Sequence, residues 1–283
     1  MLPKKLFLPL GGGEELKERI KGALLISKYL EAHLEVLRVE NAQTRPGAAD
    51  FFAPDYLVKE MSQITDKLEK GVTEKYKEVF KEACDELDID ITQEVVNEEK
   101  ATASLLIDRG HRGELVAQYS KLCDMVIAVR PPENIPTATF QAAVLHSGKP
   151  VMMIPRVLNA FDPSRIIILW NASTEASRAI DGAMPFLMRA KEVMIVTRKN
   201  TEGIKPTVAQ LQKYLSFHGI NAQYEIVIPT KTPGEALLKK AIDGGYGLIV
   251  AGAYGQNRIR ESVFGGFTTY MLEHTTIPLL TAH

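Results

Sequence analysis

A strand-helix-strand opening written twice in one chain constrains most strongly what these 283 residues can fold into. Lys5–Leu10 reads as a strand, residues 14 to about 32 carry a helical pattern, and residues 34–39 read as a second strand. Arg165–Trp170, a helix over about 175–189 and a strand at 193–196 repeat the plan. A doubled β-α-β opening is the mark of parallel sheets covered by helices. The ends of the halves also match. Residues 124–129 align with 247–252, both largely apolar. His146 precedes Pro150 by four residues, as His274 precedes Pro278, and a short apolar strand follows each proline. The expected fold is therefore α/β. Two tandem doubly wound (Rossmann-like) domains each carry a five-stranded parallel sheet. Residues 1–158 and 159–283 are the two units, the boundary falling in the loop around Asn159 and Asp162-Pro163. Each final strand, 150–154 and 278–281, would leave an unpaired apolar edge, which antiparallel pairing between them removes. The halves should then pack as a pseudo-two-fold pair.

The halves differ where function would sit. Residues 248–251 form an apolar run, a buried parallel strand. Gly252 and Gly255 follow, then Gly265, Gly266, Phe267 and Thr268, and then a helical stretch at 270–274. Glycine lets backbone N–H groups approach an anion with no Cβ in the way. A helix N-terminus adds unpaired donors and a favourable dipole. The first half is five residues shorter at this point: 22 positions separate Ala128 from Pro150, whereas 27 separate Ala251 from Pro278. It carries Pro131, Pro132 and Pro136 instead, three residues without an N–H to offer. Gly11-Gly12-Gly13 after the first strand reads as a strand-to-helix turn. The first half is longer elsewhere, with a charged helix within 41–87 whose apolar positions Leu57, Met61, Ile64 and Leu68 keep helical spacing.

The spacing Gly-x2-Gly-x9-Gly, together with the residues 171–175 after the first strand of the second half, resembles the nucleotide loop and adenosine loop of the universal stress protein family. The resemblance covers the whole chain as architecture and implies ATP, ADP or AMP bound in the second half, with Mg2+ compatible alongside. Carried onto this sequence, it implies binding through Asn171, Ala172, Ser173, Val196, Gly252, Gly255, Arg258, Gly265, Gly266, Phe267 and Thr268. Asn171 stands where the family usually has Asp, and Gly266 where it has Ser or Thr, so one hydroxyl contact is lost unless Thr268 or Thr269 supplies it. Arg258 and Arg260 lie within the loop segment, in reach of phosphate oxygens. The implied function is a stress-response protein acting by nucleotide binding and conformational signalling, with at most slow ATP hydrolysis. The alternatives are an interaction module that has lost nucleotide binding, or an enzyme of another nucleotide-using α/β family.

Composition narrows the partners. A formal net charge of −1 gives no basis for bulk binding to nucleic acid or to acidic membranes. No segment approaches the roughly 20 apolar residues that span a bilayer, and the apolar stretch after Lys4-Lys5 is too short for a signal peptide. Cys84 and Cys123 suggest inert thiols in a reducing cytoplasm. No H-E-x-x-H, C-x2-C, G-x-S-x-G or Walker motif occurs, so no metal site and no catalytic residue are expected. His146 and His274 should cap helix ends. Arg109, His111 and Arg112 should form a solvated helix face. The partners expected are an adenine nucleotide and the other half of the same chain, with a homodimer left open.

Overall fold

The structure is a computed structural model and describes residues 2–11, 13–41, 55–94, 99–131, 137–199, 203–228, 233–252, 270–271 and 273–283. The first half runs β1 (Lys5–Leu10), α1 (Leu16–Leu30), β2 (His33–Asn41), α2 (Asp55–Leu87), β3 (Asp90–Ile91), β4 (Thr102–Gly110), α3 (Arg112–Tyr119), β5 (Met125–Val129), α4 (Ala138–His146) and β6 (Val151–Ile154). The second runs β7 (Arg165–Trp170), α5 (Thr174–Leu187), β8 (Glu192–Arg198), α6 (Val208–Phe217), β9 (Ala222–Val227), α7 (Pro233–Asp243), β10 (Leu248–Ala251) and β11 (Leu279–Thr281).

The eleven strands among the described residues join in one sheet, ordered β3-β4-β2-β1-β5-β6-β11-β10-β7-β8-β9. Within each half every pairing is parallel. The orders β4-β2-β1-β5-β6 and β9-β8-β7-β10-β11 are the same five-strand plan, and β3 is a two-residue addition at the outer edge. The halves meet where β6 and β11 pair antiparallel, Met152 opposite Leu280 and Met153 opposite Leu279. Met152 and Leu280 are fully buried at the centre of this pseudo-two-fold, each such side chain contributing about 1.5–3 kcal/mol.

Local chemistry explains the elements. The central strands are apolar on both faces because helices cover both: Leu6, Phe7, Leu8, Ile166, Ile167 and Leu248 are all at or near zero exposure. Thr137 and Ser173 accept backbone N–H bonds from Phe140 and Ala176 and so start α4 and α5. Thr207 and Gln210 exchange bonds as a capping box that starts α6. Across the seam, Gly182 of α5 lies against Pro150, where a Cβ would come within 2.7 Å of the proline ring. Tyr29 of α1, Phe161 of the connection and Phe186 of α5 pack as one aromatic cluster, with centroids 5.4–5.9 Å apart. Arg189 donates to the Tyr29 carbonyl at 3.1 Å.

The long helix forms, but its packed face is not the expected one. Ile64 and Leu68 are 54% and 65% exposed, and the side chains of Leu57 and Met61 lie outside the described residues. The buried face is Thr73, Tyr76, Phe80, Ala83 and Cys84, where α2 lies on α1. Lys17 and Lys21 of α1 reach Glu86 of α2 at 2.6 and 2.7 Å. Ile64 and Leu68 keep helical spacing yet stay exposed, so spacing alone could not decide burial.

Candidate functional site

In the second half the chain leaves β7 toward β8 on one side and returns as β10 on the other. Such a switch of direction opens a crevice at the carboxyl ends of the strands. β7 ends at Trp170, whose indole N–H donates to the Pro206 carbonyl at 2.9 Å. Asn171 Oδ1 then accepts from the Ser173 N–H at 3.1 Å, an Asx turn. Ala172 between them sits at φ +60°, a region a non-glycine residue enters only when its surroundings require it. Ser173 Oγ accepts from Ala176 N–H at 3.1 Å and caps α5. The loop thus fixes its own shape with the oxygens of Asn171 and Ser173. What it can still present is the Asn171 amide N–H2, the Ser173 hydroxyl proton and the α5 N-terminus.

Gly252 follows β10 directly and touches this same helix start. A Cβ there would lie 2.5 Å from Ala176 N and 2.9 Å from the Glu175 carbonyl carbon. The glycine therefore has a packing reason of its own: the end of β10 presses against the first turn of α5. Val196 is a core residue of β8, 2% exposed and in register with Leu169. A ligand could meet only the strand end beyond it. Asn171, Ala172, Ser173 and Gly252 are thus brought to one crevice, with Val196 beneath. Gly255, Arg258, Gly265, Gly266, Phe267 and Thr268 lie outside the described residues. Glu175, which sequence reasoning passed over, stands in the first turn of α5. One of its carboxylate oxygens is shielded from solvent and has no hydrogen-bond partner among the described residues. Its position two residues after Ser173 was the available signal.

The first half's crevice is not the bare turn expected. Gly11 O accepts from Arg19 and from the Tyr76 hydroxyl, each at 3.2 Å, and Gly13 O accepts from Arg19 at 3.2 Å. Gly13 sits at φ +106°, a glycine conformation. Arg112 does not share a solvated face with Arg109. Arg109 pairs with Glu40 and Asp66, whereas Arg112 turns into a cavity with Arg19, Arg130 and Arg156. Arg130 and Arg156 each stand one or two residues beyond a strand, and that position could have flagged them.

Other expectations resolve simply. His274 Nδ1 lies 3.0 Å from the Tyr270 carbonyl one turn earlier, and His146 is exposed in the last turn of α4. Burial pushes the Cys84 and Cys123 thiols up to about 12, far from the reactive thiolate range. Among the described residues no group of three His, Cys, Asp or Glu could hold a metal ion, and no helix is long and apolar enough to cross a membrane.

Two doubly wound sheets fused edge to edge, each with a crevice at its strand ends, define a tandem Rossmann-like protein. Solved structures share this architecture. A universal stress protein from Archaeoglobus fulgidus covers 98% of this chain and 95% of its own at TM-score 0.65 and 15% identity. A functionally unknown protein from Pseudomonas aeruginosa PAO1 covers 98% and 92% at TM-score 0.55 and 14% identity. In sequence, 148 residues are 26% identical to universal stress protein Slr1230 of Synechocystis sp., which is 51% of this chain and 50% of that protein. The match thus spans about half the length of that curated relative. No family model matches the chain. The chain thus shares its fold with solved universal stress proteins and, over about half its length, is similar in sequence to one.

Proposed function

We propose that residues 159–283 bind ATP or a related adenine nucleotide and that the chain serves a stress response by binding and conformational signalling rather than by turnover. The observation that carries this reading is the convergence at the second switch point. The capped N-terminus of α5, the Asn171–Ser173 turn and Gly252 meet there, and the chain enters its Gly-x2-Gly-x9-Gly segment at that place. A helix N-terminus and glycine backbone amides are what phosphates need. The name of the Synechocystis relative supports the stress role. Residues 1–158 lack the glycine segment.

Glu175 would carry a Mg2+ arriving with the nucleotide. A single carboxylate oxygen plus phosphates is a normal magnesium environment, and this oxygen has no other partner among the described residues. Unscreened by a cation, the same carboxylate would repel a triphosphate. The buried thiols and even charge balance suit a reducing cytoplasm.

The test is calorimetric titration of ATP, ADP and AMP, with and without Mg2+, into the full chain and into Gly265→Val and Glu175→Gln variants. Gly265→Val should weaken binding roughly 10- to 150-fold, the equivalent of about 1.5–3 kcal/mol for one charge-assisted phosphate bond. Glu175→Gln should remove the Mg2+ dependence. Equal ATP binding by wild type and Gly265→Val would refute the site. No binding by any form would leave the chain as an interaction module.

A further inference from the structure

The first half's crevice, at the carboxyl ends of β1 and β5, holds a cavity of about 230 Å3 that the nucleotide reading does not use. Arg19, Arg112, Arg130 and Arg156 all line it, and among the described residues no carboxylate does. They come from four separate places: the first turn of α1, the start of α3, and the chain just beyond β5 and β6. Gathering like charges in a partly desolvated space is unfavourable unless something negative joins them.

Their partners show how much charge remains. Arg19 is 4% exposed and is committed to the carbonyls of Gly11 and Gly13. Burial lowers its pKa, and the Arg156 charge lowers it further. Arg156 pairs through Nε with the Glu15 carboxylate and donates to Glu14 O at 2.9 Å. That carboxylate offsets one of the four cations. Arg130 donates through Nη1 to Thr275 O at 3.3 Å, while its Nε is shielded from solvent and has no acceptor among the described residues. Arg112 makes no hydrogen bond or ion pair among the described residues, and its Nε is likewise shielded and unpartnered. Thr137 and Thr139 share the same wall, where the first amides of the nine-residue α4 have no intrahelical acceptor.

We propose that this cavity is a second ligand site, one that binds a phosphoryl group through the guanidinium forks of Arg112 and Arg130. Guanidinium matches phosphate oxygens two at a time, and Arg112 and Arg130, two cations with no carboxylate partner among the described residues, suit a doubly charged phosphate better than a single carboxylate. The size sets the rest. A cavity below the roughly 300 Å3 of drug-sized pockets takes a phosphate or a small phosphate ester, not a whole nucleotide. Arg19 is a positioning residue, holding the carbonyls of Gly11, which lines the cavity, and of Gly13. The loop pattern of the second half is absent here, so side-chain cations replace backbone amides.

The experiment titrates inorganic phosphate and glycerol phosphate separately into the full chain at matched ionic strength, with chloride as control. Binding is read by calorimetry and by the shift in melting temperature. Wild type should bind at least one of the two saturably, and which one binds more tightly tells free phosphate from an ester. Arg112→Gln and Arg130→Gln should each lose tenfold or more in affinity, and Arg112→Lys should retain part. ATP affinity measured in chloride should be unchanged in all three. Arg112 has no partner to lose among the described residues, so Arg112→Gln should melt no lower than wild type without ligand. Saturable phosphate binding that survives in Arg112→Gln overturns the proposal, as does the absence of saturable binding to folded wild type. Loss of ATP and phosphate binding together in Arg112→Gln would also overturn it, because the two sites would then be one.

Discussion

Replacing Gly252 with alanine asks whether this glycine serves the fold or the ligand. The added Cβ would lie 2.5 Å from Ala176 N, 2.9 Å from the Glu175 carbonyl carbon and 3.0 Å from Ala176 Cα. All three atoms are backbone, so no side chain can swing aside. An ordinary carbon–nitrogen contact needs on the order of 3.5 Å, and the first turn of α5 would have to retreat by about 1 Å. Overpacking of this kind costs about 1–3 kcal/mol, and a rigid neighbour argues for the upper end. Gly252 lies outside the left-handed region, so alanine recovers roughly 0.4–1 kcal/mol by restricting the unfolded chain. The net loss should be about 2 kcal/mol, which lowers the melting temperature by about 4–8 °C for a unit of this size. Thermal unfolding followed by far-ultraviolet circular dichroism reads this directly. ATP affinity should fall as well, because the Ser173 cap moves with the helix. An unchanged melting temperature with weakened ATP binding would refute the reasoning and return Gly252 to a purely ligand-facing role. For that reason Gly265, and not Gly252, is the position at which a loss of affinity reports on the phosphate loop.

The seam between the halves should be equally sensitive. Gly182→Val sets a branched side chain where Cβ alone would be 2.7 Å from Pro150, and it should destabilise by about 3 kcal/mol, seen as a lower urea midpoint; a midpoint equal to wild type would show that the halves can slide apart at no cost. His33 provides the pH dependence. Its ring lies 2.8 Å from Thr102 Oγ1 and 2.9 Å from Ser104 Oγ, and burial holds its pKa below the usual 6.5. The folded state thus prefers neutral imidazole, so its contribution is complete above 6.5 and is lost as pH falls through the lowered folded value. Urea midpoints measured from neutral to mildly acidic pH should fall for wild type and stay flatter for His33→Gln; parallel curves would remove His33 from the account.

Much of the fold was legible because its signals are local or repeat. The apolar runs 166–168 and 248–251 could only be strands covered on both faces, and finding both at matching places in the halves gave the topology twice. The β6–β11 pairing was legible because two short apolar edges need each other. The packed face of α2 was not legible, since Ile64 and Leu68 keep the same spacing as Tyr76, Phe80 and Cys84. Contact with α1, not the helix's own pattern, decides which of them is buried. At the sites the limit is the same. A glycine before a loop reads alike whether it admits a ligand or a neighbouring helix, and only the 2.5 Å approach to Ala176 identifies the second at Gly252. Arg19, Arg112, Arg130 and Arg156 are scattered through the first half and carry no motif, so only the parallel order β2-β1-β5-β6 gathers them. Yet the two halves answer one physical demand. Crevices at the carboxyl ends of parallel strands collect helix N-termini and so favour negative ligands. A half with a long glycine segment can supply donors from its backbone. A half five residues shorter there, with prolines in that place, must draw them from side chains. The missing loop and the gathered arginines in the first half are therefore one adaptation, and the phosphate titration of Arg112→Gln tests both at once.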